Sequence, residues 1–338
     1  MNPRYPILIP SKGRSDSLLT MKMFDKMSVP YRVVVEPQEH DAYAAAGIRQ
    51  DQLLVLPFSD RGLVATRNWI WDLALAEGHR YFWTFDDNIW KSYRLNHNLK
   101  TPVVDGTPLY VIEQFALRYA NVPISGMQYY MFAPRKEGRL APLLLNNRVY
   151  SNMLIETDFR DPAGNPYRNT PGYNDDTDLN LRVLKDGNCT VLFNAFLIQK
   201  MTTMHVKGGM DYAAPLAPDP KYIELMEEAA RRGWYYDPAD SGLDDRHLDA
   251  RWRATVELAV RHPDVTRITR KFSGLDGKPR WHHQVDYKAF RANRLKLRPG
   301  VIVPEGTDEF GMVLERKDAR TGEWSPVDTP WYPWEDAG

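Results

Sequence analysis

The first half of this 338-residue chain predicts an α/β fold, a mostly parallel sheet flanked by helices, with a C-terminal α+β appendage behind it. Three observations carry that expectation. Short apolar runs alternate with helix-like stretches from Tyr5 to Phe85. Gly47, Pro57 and Gly78 punctuate the junctions. One run, Tyr81-Phe82-Trp83-Thr84-Phe85, is almost wholly apolar, as a strand covered on both faces must be.

In chain order, Tyr5–Ile9 reads as a strand and Ser17–Met27 as a helix. Arg32–Val35 is a strand ending at Glu36, Asp41–Ala46 a short helix closed by Gly47, and Leu53–Leu56 a strand stopped by Pro57. Ser59 or Asp60 is placed to cap a helix that runs to Glu77 and stops at Gly78. Tyr81–Phe85 is the fourth strand, and such alternation implies crossover connections in a parallel sheet. Beyond it, Ile112–Tyr119 reads as a helix. Ile124–Phe132 and Asn146–Ile155 read as strands of a ribbon beside the main sheet. Asp161–Tyr173 is a loop rich in Pro, Gly and Asn. Asp178–Lys185 is a helix, Thr190–Phe193 a strand, and Lys221–Arg232 amphipathic. A boundary near residue 215 divides a domain over 1–215 from a C-terminal region over 216–338.

Composition sets the class. A 43% hydrophobic and 26% charged chain of this length has enough apolar residues for a large core, which excludes a disordered chain. Net charge is zero, but its distribution is uneven. Between Arg261 and Arg298 eleven Lys or Arg face three Asp, and after Val301 acids dominate. The single cysteine, Cys189, fits a reducing compartment. No leader and no membrane-length apolar run is visible, so the expected location is the cytoplasm, with no membrane partner.

The chemistry gathers at predicted strand ends. Asp86-Asp87-Asn88 follows the fourth strand, on the side where open α/β sheets bind ligands. Adjacent hard oxygens suit a divalent cation that neutralises a diphosphate. Pro10-Ser11-Lys12-Gly13-Arg14 follows the first strand and can meet a base or phosphate, and Glu36 can accept from ribose hydroxyls. Arg61, Arg67 and Asn68 lie at the start of the third helix. Asp175-Asp176-Thr177-Asp178 opens another helix and offers a general base, and His205 before two glycines suits a metal ligand. Each has a plainer reading: a surface turn, a solvated helix face, a helix start that favours acids, a structural histidine.

Taken together and in order, these pieces resemble the GT-A (Rossmann-like) glycosyltransferase fold in its inverting style, over about residues 5 to 210. The Ile-Pro-Ser-Lys-Gly-Arg loop, Ala65-Thr66-Arg67-Asn68, Phe85-Asp86-Asp87-Asn88, Asp175-Asp176-Thr177-Asp178 and His205 carry the likeness. More narrowly, the chain resembles the bacteriophage TET/JBP-associated glycosyltransferases, which act on 5-hydroxymethylpyrimidines in DNA. Val35-Glu36-Pro37-Gln38-Glu39 with Tyr43 adds to that impression. The resemblance implies a UDP-sugar donor held by Pro10, Ser11, Lys12, Arg14, Glu36, Arg61, Arg67, Asn68 and Asp86. It implies Mn²⁺ (or Mg²⁺) on Asp87, Asn88 and His205, and Asp176, with Asp175, as the base. Asn88 stands where an acid is usual, which leaves the inner ligand open among Asp86, Asp87 and Asn88. The acceptor implied is 5-hydroxymethylcytosine DNA. The basic stretch, with Phe272, Trp281, Tyr287 and Phe290 among its cations, offers the DNA surface, or else a charged face over a small core. A polysaccharide or protein acceptor, a nucleotidyltransferase, and a non-catalytic nucleic-acid-binding protein are the alternatives. The identity of the sugar and the oligomeric state are open.

Overall fold

The computed structural model describes residues 1–96, 99–133, 141–160, 164, 174–201, 224, 227–228, 231–233, 255–272, 279–302, 315–317 and 320–326. His205, the loop over 161–173 apart from Gly164, the boundary near residue 215 and most of the acidic tail lie outside them. Strands β1 (Ile7–Pro10), β2 (Arg32–Val35), β3 (Leu53–Val55) and β4 (Tyr81–Phe85) alternate with helices α1 (Leu19–Met27), α2 (His40–Ala45) and α3 (Gly62–Ala76). Strands β5 (Ile89–Asn96) and β6 (Leu99–Pro102), helix α4 (Thr107–Ala116), and strands β7 (Ile124–Tyr129), β8 (Leu143–Leu145) and β9 (Asn152–Glu156) follow. Helix α5 (Asp175–Lys185) and strand β10 (Thr190–Lys200) close the first two-thirds of the chain.

One ten-stranded sheet runs β3-β2-β1-β4-β9-β7-β10-β5-β6, with β8 on β10. Seven strands point one way and only β5, β8 and β9 oppose them, so the sheet is mostly parallel and α/β as expected. β4 is buried at all five positions because layers cover both faces. Among the described residues, no helix is long and apolar enough to cross a membrane.

Several expectations are corrected. The β7–β9 pair is not a ribbon at the side but the centre of the sheet, joining β4 to β10. Alternation of apolar residues shows that a strand is buried, not where it pairs. The cap of α3 is Arg61 without a side-chain bond, not Ser59 or Asp60. Asp60 adopts φ 56°, which Asp tolerates, and its carboxylate accepts from Lys12 at 2.6 Å instead. α4 starts five residues before Ile112, with Pro108 in its first turn, where a missing N–H costs nothing. β10 runs seven residues past Phe193, through Asn194 and Gln199.

The C-terminal segment lies against the sheet domain. Leu258, Val265 and Phe290 bury themselves with Leu181 and Leu184 of α5. Asn146 donates to the carbonyls of Phe290 (3.0 Å) and Asn293 (2.9 Å), and Asn293 donates to those of Leu184 and Asn188 (both 2.7 Å). Strands β11 (Thr266–Phe272) and β12 (Pro279–Val285) form a separate antiparallel hairpin, and β13 (Glu315–Lys317) pairs with β14 (Trp324–Pro326).

The central β7–β9 contact depends on Gly126. The Asn152 side chain replaces a ladder rung, accepting from Met127 N–H (2.6 Å) and donating to Met127 C=O (3.1 Å). A Cβ on Gly126 would collide with the Asn152 carbonyl and the Val149 side chain. Gly126→Ala is therefore expected to lower stability by about 2–4 kcal/mol in denaturant titrations. A loss below about 0.5 kcal/mol would contradict this packing.

Candidate active site

The carboxyl ends of the parallel strands set the site in a row. Glu36 follows β2, Ser11 and Lys12 follow β1, and Asp86 follows β4. β9 runs the other way, so its start lies on the same edge: Asn152 pairs with Phe85, and Asp86 N–H donates to Ser151 C=O at 2.8 Å. Lys200 ends β10 on that edge, beside Ile89. Two strand intervals, roughly 10 Å, separate Glu36 from Asp86, about the reach from a ribose to its diphosphate.

The first loop is held by its own polar groups. Ser11 hydroxyl donates to Asp87 Oδ2 (2.7 Å) and lies 2.6 Å from the Tyr43 hydroxyl. Arg14 closes on the other Asp87 oxygen. Burial pushes the Asp87 carboxyl up, against the pull of Arg14 and Ser11. Lys12 bridges Glu36 (2.7 Å) and Asp60 (2.6 Å). Desolvation favours its neutral form, but bonds to Asp60 and Glu36 outweigh that and raise its pKa. Arg61 is exposed, its guanidinium 5.3 Å from the centre of the Phe58 ring.

Arg67 joins the two acidic motifs. One of its amino groups binds Asp175 and the other binds Asp86 at 3.1 Å. Lys200 reaches the second Asp86 oxygen at 3.2 Å and donates to Ser151 Oγ at 2.6 Å. Burial would raise the Asp86 carboxyl, yet Lys200 and Arg67 hold it below the ordinary value. Asp175 goes the other way: burial raises it and Arg67 only partly offsets this. Asp176 accepts from Arg148 (3.1 Å) and from the N–H of Thr177 (2.6 Å). Arg67, Asn68, Thr84, Asp175 and Asp176 line a cleft between α3, β4 and α5.

A profile of the TET-Associated Glycosyltransferase family matches residues 5–209, which span every group in this row. The chain belongs to that family. It is a glycosyltransferase. No curated protein matches the chain.

In this TET-associated glycosyltransferase the two adjacent aspartates are unlike. Both are engaged at both oxygens, Asp86 by Arg67 and Lys200 and Asp87 by Arg14 and Ser11, but a quarter of the Asp86 side chain is exposed whereas Asp87 is buried. Asn88 donates to Met201 C=O (3.2 Å), and its buried Oδ1 has no partner among the described residues. Three acidic, histidine or cysteine side chains do not meet as a metal cluster among the described residues. The unpaired Asn88 oxygen beside Asp86 fits a hard cation that takes its other ligands from a bound diphosphate.

Lys200, Ser151, Arg148 and Tyr150 are site residues that the sequence reading passed over. A longer β10 would have pointed to Lys200, since a cation at the carboxyl end of a parallel strand faces the ligand edge. Arg148 and Tyr150 carry no such mark, because they precede an antiparallel strand.

Arg67→Met leaves Asp175 buried without its cation. The expected loss is about 3 kcal/mol at pH 8. Asp175 binds its proton more tightly folded than unfolded, so ionising it costs folding energy that grows as pH rises above the ordinary carboxylate range. The loss at pH 5 is therefore smaller than at pH 8 in paired denaturant titrations. Equal losses at both pH values would contradict the assignment.

Proposed function

We propose that this glycosyltransferase moves a sugar from a UDP-sugar to the hydroxyl of 5-hydroxymethylcytosine in DNA, with inversion at the anomeric carbon. The observation that supports this most is the Arg67 bridge, which puts a carboxylate pair, Asp175 and Asp176, next to the strand-end row suited to a diphosphate.

Pro10, Ser11, Lys12, Arg14 and Glu36 would hold the nucleotide, with the Lys12–Glu36 pair opening to a phosphate and a ribose hydroxyl. Arg61, Arg67 and Asn68 flank the sugar phosphates. Asp86 and Asn88 are the inner cation ligands in this reading, with His205 as a third and Asp87 as the buried support of the turn. Mn²⁺ or Mg²⁺, when bound, supplies a Lewis acid for the diphosphate. Asp86, Asp175 and Asp176 are matched by Arg67, Arg148 and Lys200, so those three cations are already engaged before a diphosphate arrives.

Asp176 accepts the proton of the acceptor hydroxyl as its oxygen bonds to the anomeric carbon. The bond from that carbon to the diphosphate oxygen breaks, and UDP leaves with the electron pair. Arg148 holds Asp176 in place through its 3.1 Å ion pair. The exposed side chains of Arg267, Lys288, Arg294 and Lys296 favour a polyanionic acceptor, and a reducing cytoplasm suits the lone buried Cys189.

UDP release is the direct assay. A duplex containing 5-hydroxymethylcytosine is expected to stimulate it, and the cytosine duplex is not. Asp176→Asn should lower stimulated turnover about 10²–10⁴-fold with UDP affinity nearly kept. Wild-type turnover in that variant would remove the base from Asp176. EDTA is expected to abolish release and Mn²⁺ to restore it, and full activity in metal-stripped protein would falsify the cation.

A further inference from the structure

We infer that Tyr287, Tyr150 and Arg148 form an acceptor pocket around Asp176, so that the C-terminal segment supplies one wall of the active site. This rests on the glycosyl-transfer reading above and adds the residues that recognise the acceptor.

Three polar atoms converge here without partners. The Tyr287 hydroxyl, the Tyr150 hydroxyl and Arg148 Nε are shielded from solvent and have no hydrogen-bond partner among the described residues. Folded proteins rarely leave such groups unpaired, because each forfeits its bonds to water. Arg148 ties the group to Asp176. Arg148 pairs with it at 3.1 Å and lies 4.5 Å over the Tyr150 ring. The charges of both Arg148 and Asp176 act on the Tyr287 hydroxyl. Burial keeps both tyrosines protonated, so each has a hydrogen to donate.

The groups are held by rigid elements. Tyr287 opens a short 3₁₀ turn (Tyr287–Phe290) whose Phe290 is buried against α5 and whose last carbonyl accepts from Asn146 at 3.0 Å. Tyr150 stands two residues before β9. From β2 to β9 the edge runs Glu36, Ser11, Asp86, Tyr150, which puts the tyrosine pocket on the far side of Asp86 from the nucleotide end.

An aromatic path leads outward from it. Tyr129 lies 6.2 Å from Tyr150, and Phe132 lies 5.5 Å from Tyr129, ring centre to ring centre. Phe132 is 63% exposed. Rings that stack and hydroxyls that donate to an edge are what a flipped-out nucleobase needs. Exposed Lys288, one residue from Tyr287, is placed for the flanking phosphates.

The test uses the full chain, the nucleoside 5-hydroxymethyl-2′-deoxycytidine as probe, and the variants Tyr287→Phe and Tyr150→Phe. Each variant is expected to weaken nucleoside binding about tenfold, the worth of one good hydrogen bond. UDP affinity should not change, and the melting temperature should stay level or rise, since an unpaired buried hydroxyl is gone. Nucleoside affinity within twofold of wild type in both variants would overturn the pocket. So would an equal loss of UDP affinity, which would place the hydroxyls on the donor side. If the wild type ignores the nucleoside but glycosylates a glycan or protein, the variants are read on that acceptor's KM. A rise there keeps the pocket and removes the DNA reading, and no rise removes the pocket.

Discussion

Arg67 is the constraint on which the site depends. Asp86 and Asp175 are far apart in the chain, one after β4 and one at the start of α5. Two carboxylates brought together in a largely buried position repel, and a cation between them offsets that repulsion. A guanidinium has the planar, branched donor geometry to serve both at once, which a lysine ammonium does not. Arg67 sits on α3, packed over β4 by Ile70 and Trp71, so its position is set by the core rather than by the acids it binds. The same logic repeats on either side. Lys200 arrives from β10 and Arg148 from the segment before β9, and each meets one carboxylate.

The strongest features of this arrangement are legible in the chain because they are local. β4 is a run of five buried residues followed at once by acids, a local mark of a strand end that the sequence displays openly. Helix α5 opens on Asp175, Asp176 and Asp178, as a helix start favours. The family profile covers 5–209, close to the span that the ordered motifs marked. What sequence could not reveal is non-local. The sequence marks β7 and β9 as strands but carries no statement of neighbours, so their central place between β4 and β10 emerges only from pairing. Asp87 looks like the equal of Asp86 in sequence, and only the fold buries one against Arg14 and leaves the other partly exposed between Arg67 and Lys200. Tyr287 lies more than a hundred residues after Asp176, and no spacing rule links them.

The C-terminal segment is fastened to the sheet domain by amides and ion pairs as well as by the apolar cluster on α5. Asn121 accepts from Lys296 N–H and donates to Arg294 C=O, both at 2.8 Å. Arg298 reaches Glu156 at 2.9 Å. His262 lies 3.0 Å from Asp178, a carboxylate buried in α5 that also binds Arg182. Backbone carbonyls and a few charges therefore fix the path of the segment, while Lys288, Arg294 and Lys296 keep exposed side chains. Exposed cations are thus held on the segment whose Phe290 packs against α5.

The most direct test of the account is the product itself. Duplex DNA containing 5-hydroxymethylcytosine is incubated with the protein, a set of UDP-sugars and Mn²⁺, then digested to nucleosides and weighed by mass spectrometry. The account predicts that the hydroxymethylcytosine nucleoside gains the mass of one sugar residue, while cytosine and thymine nucleosides are unchanged. Unmodified nucleosides from that DNA, with a glycan or protein glycosylated by the same preparation, would contradict it.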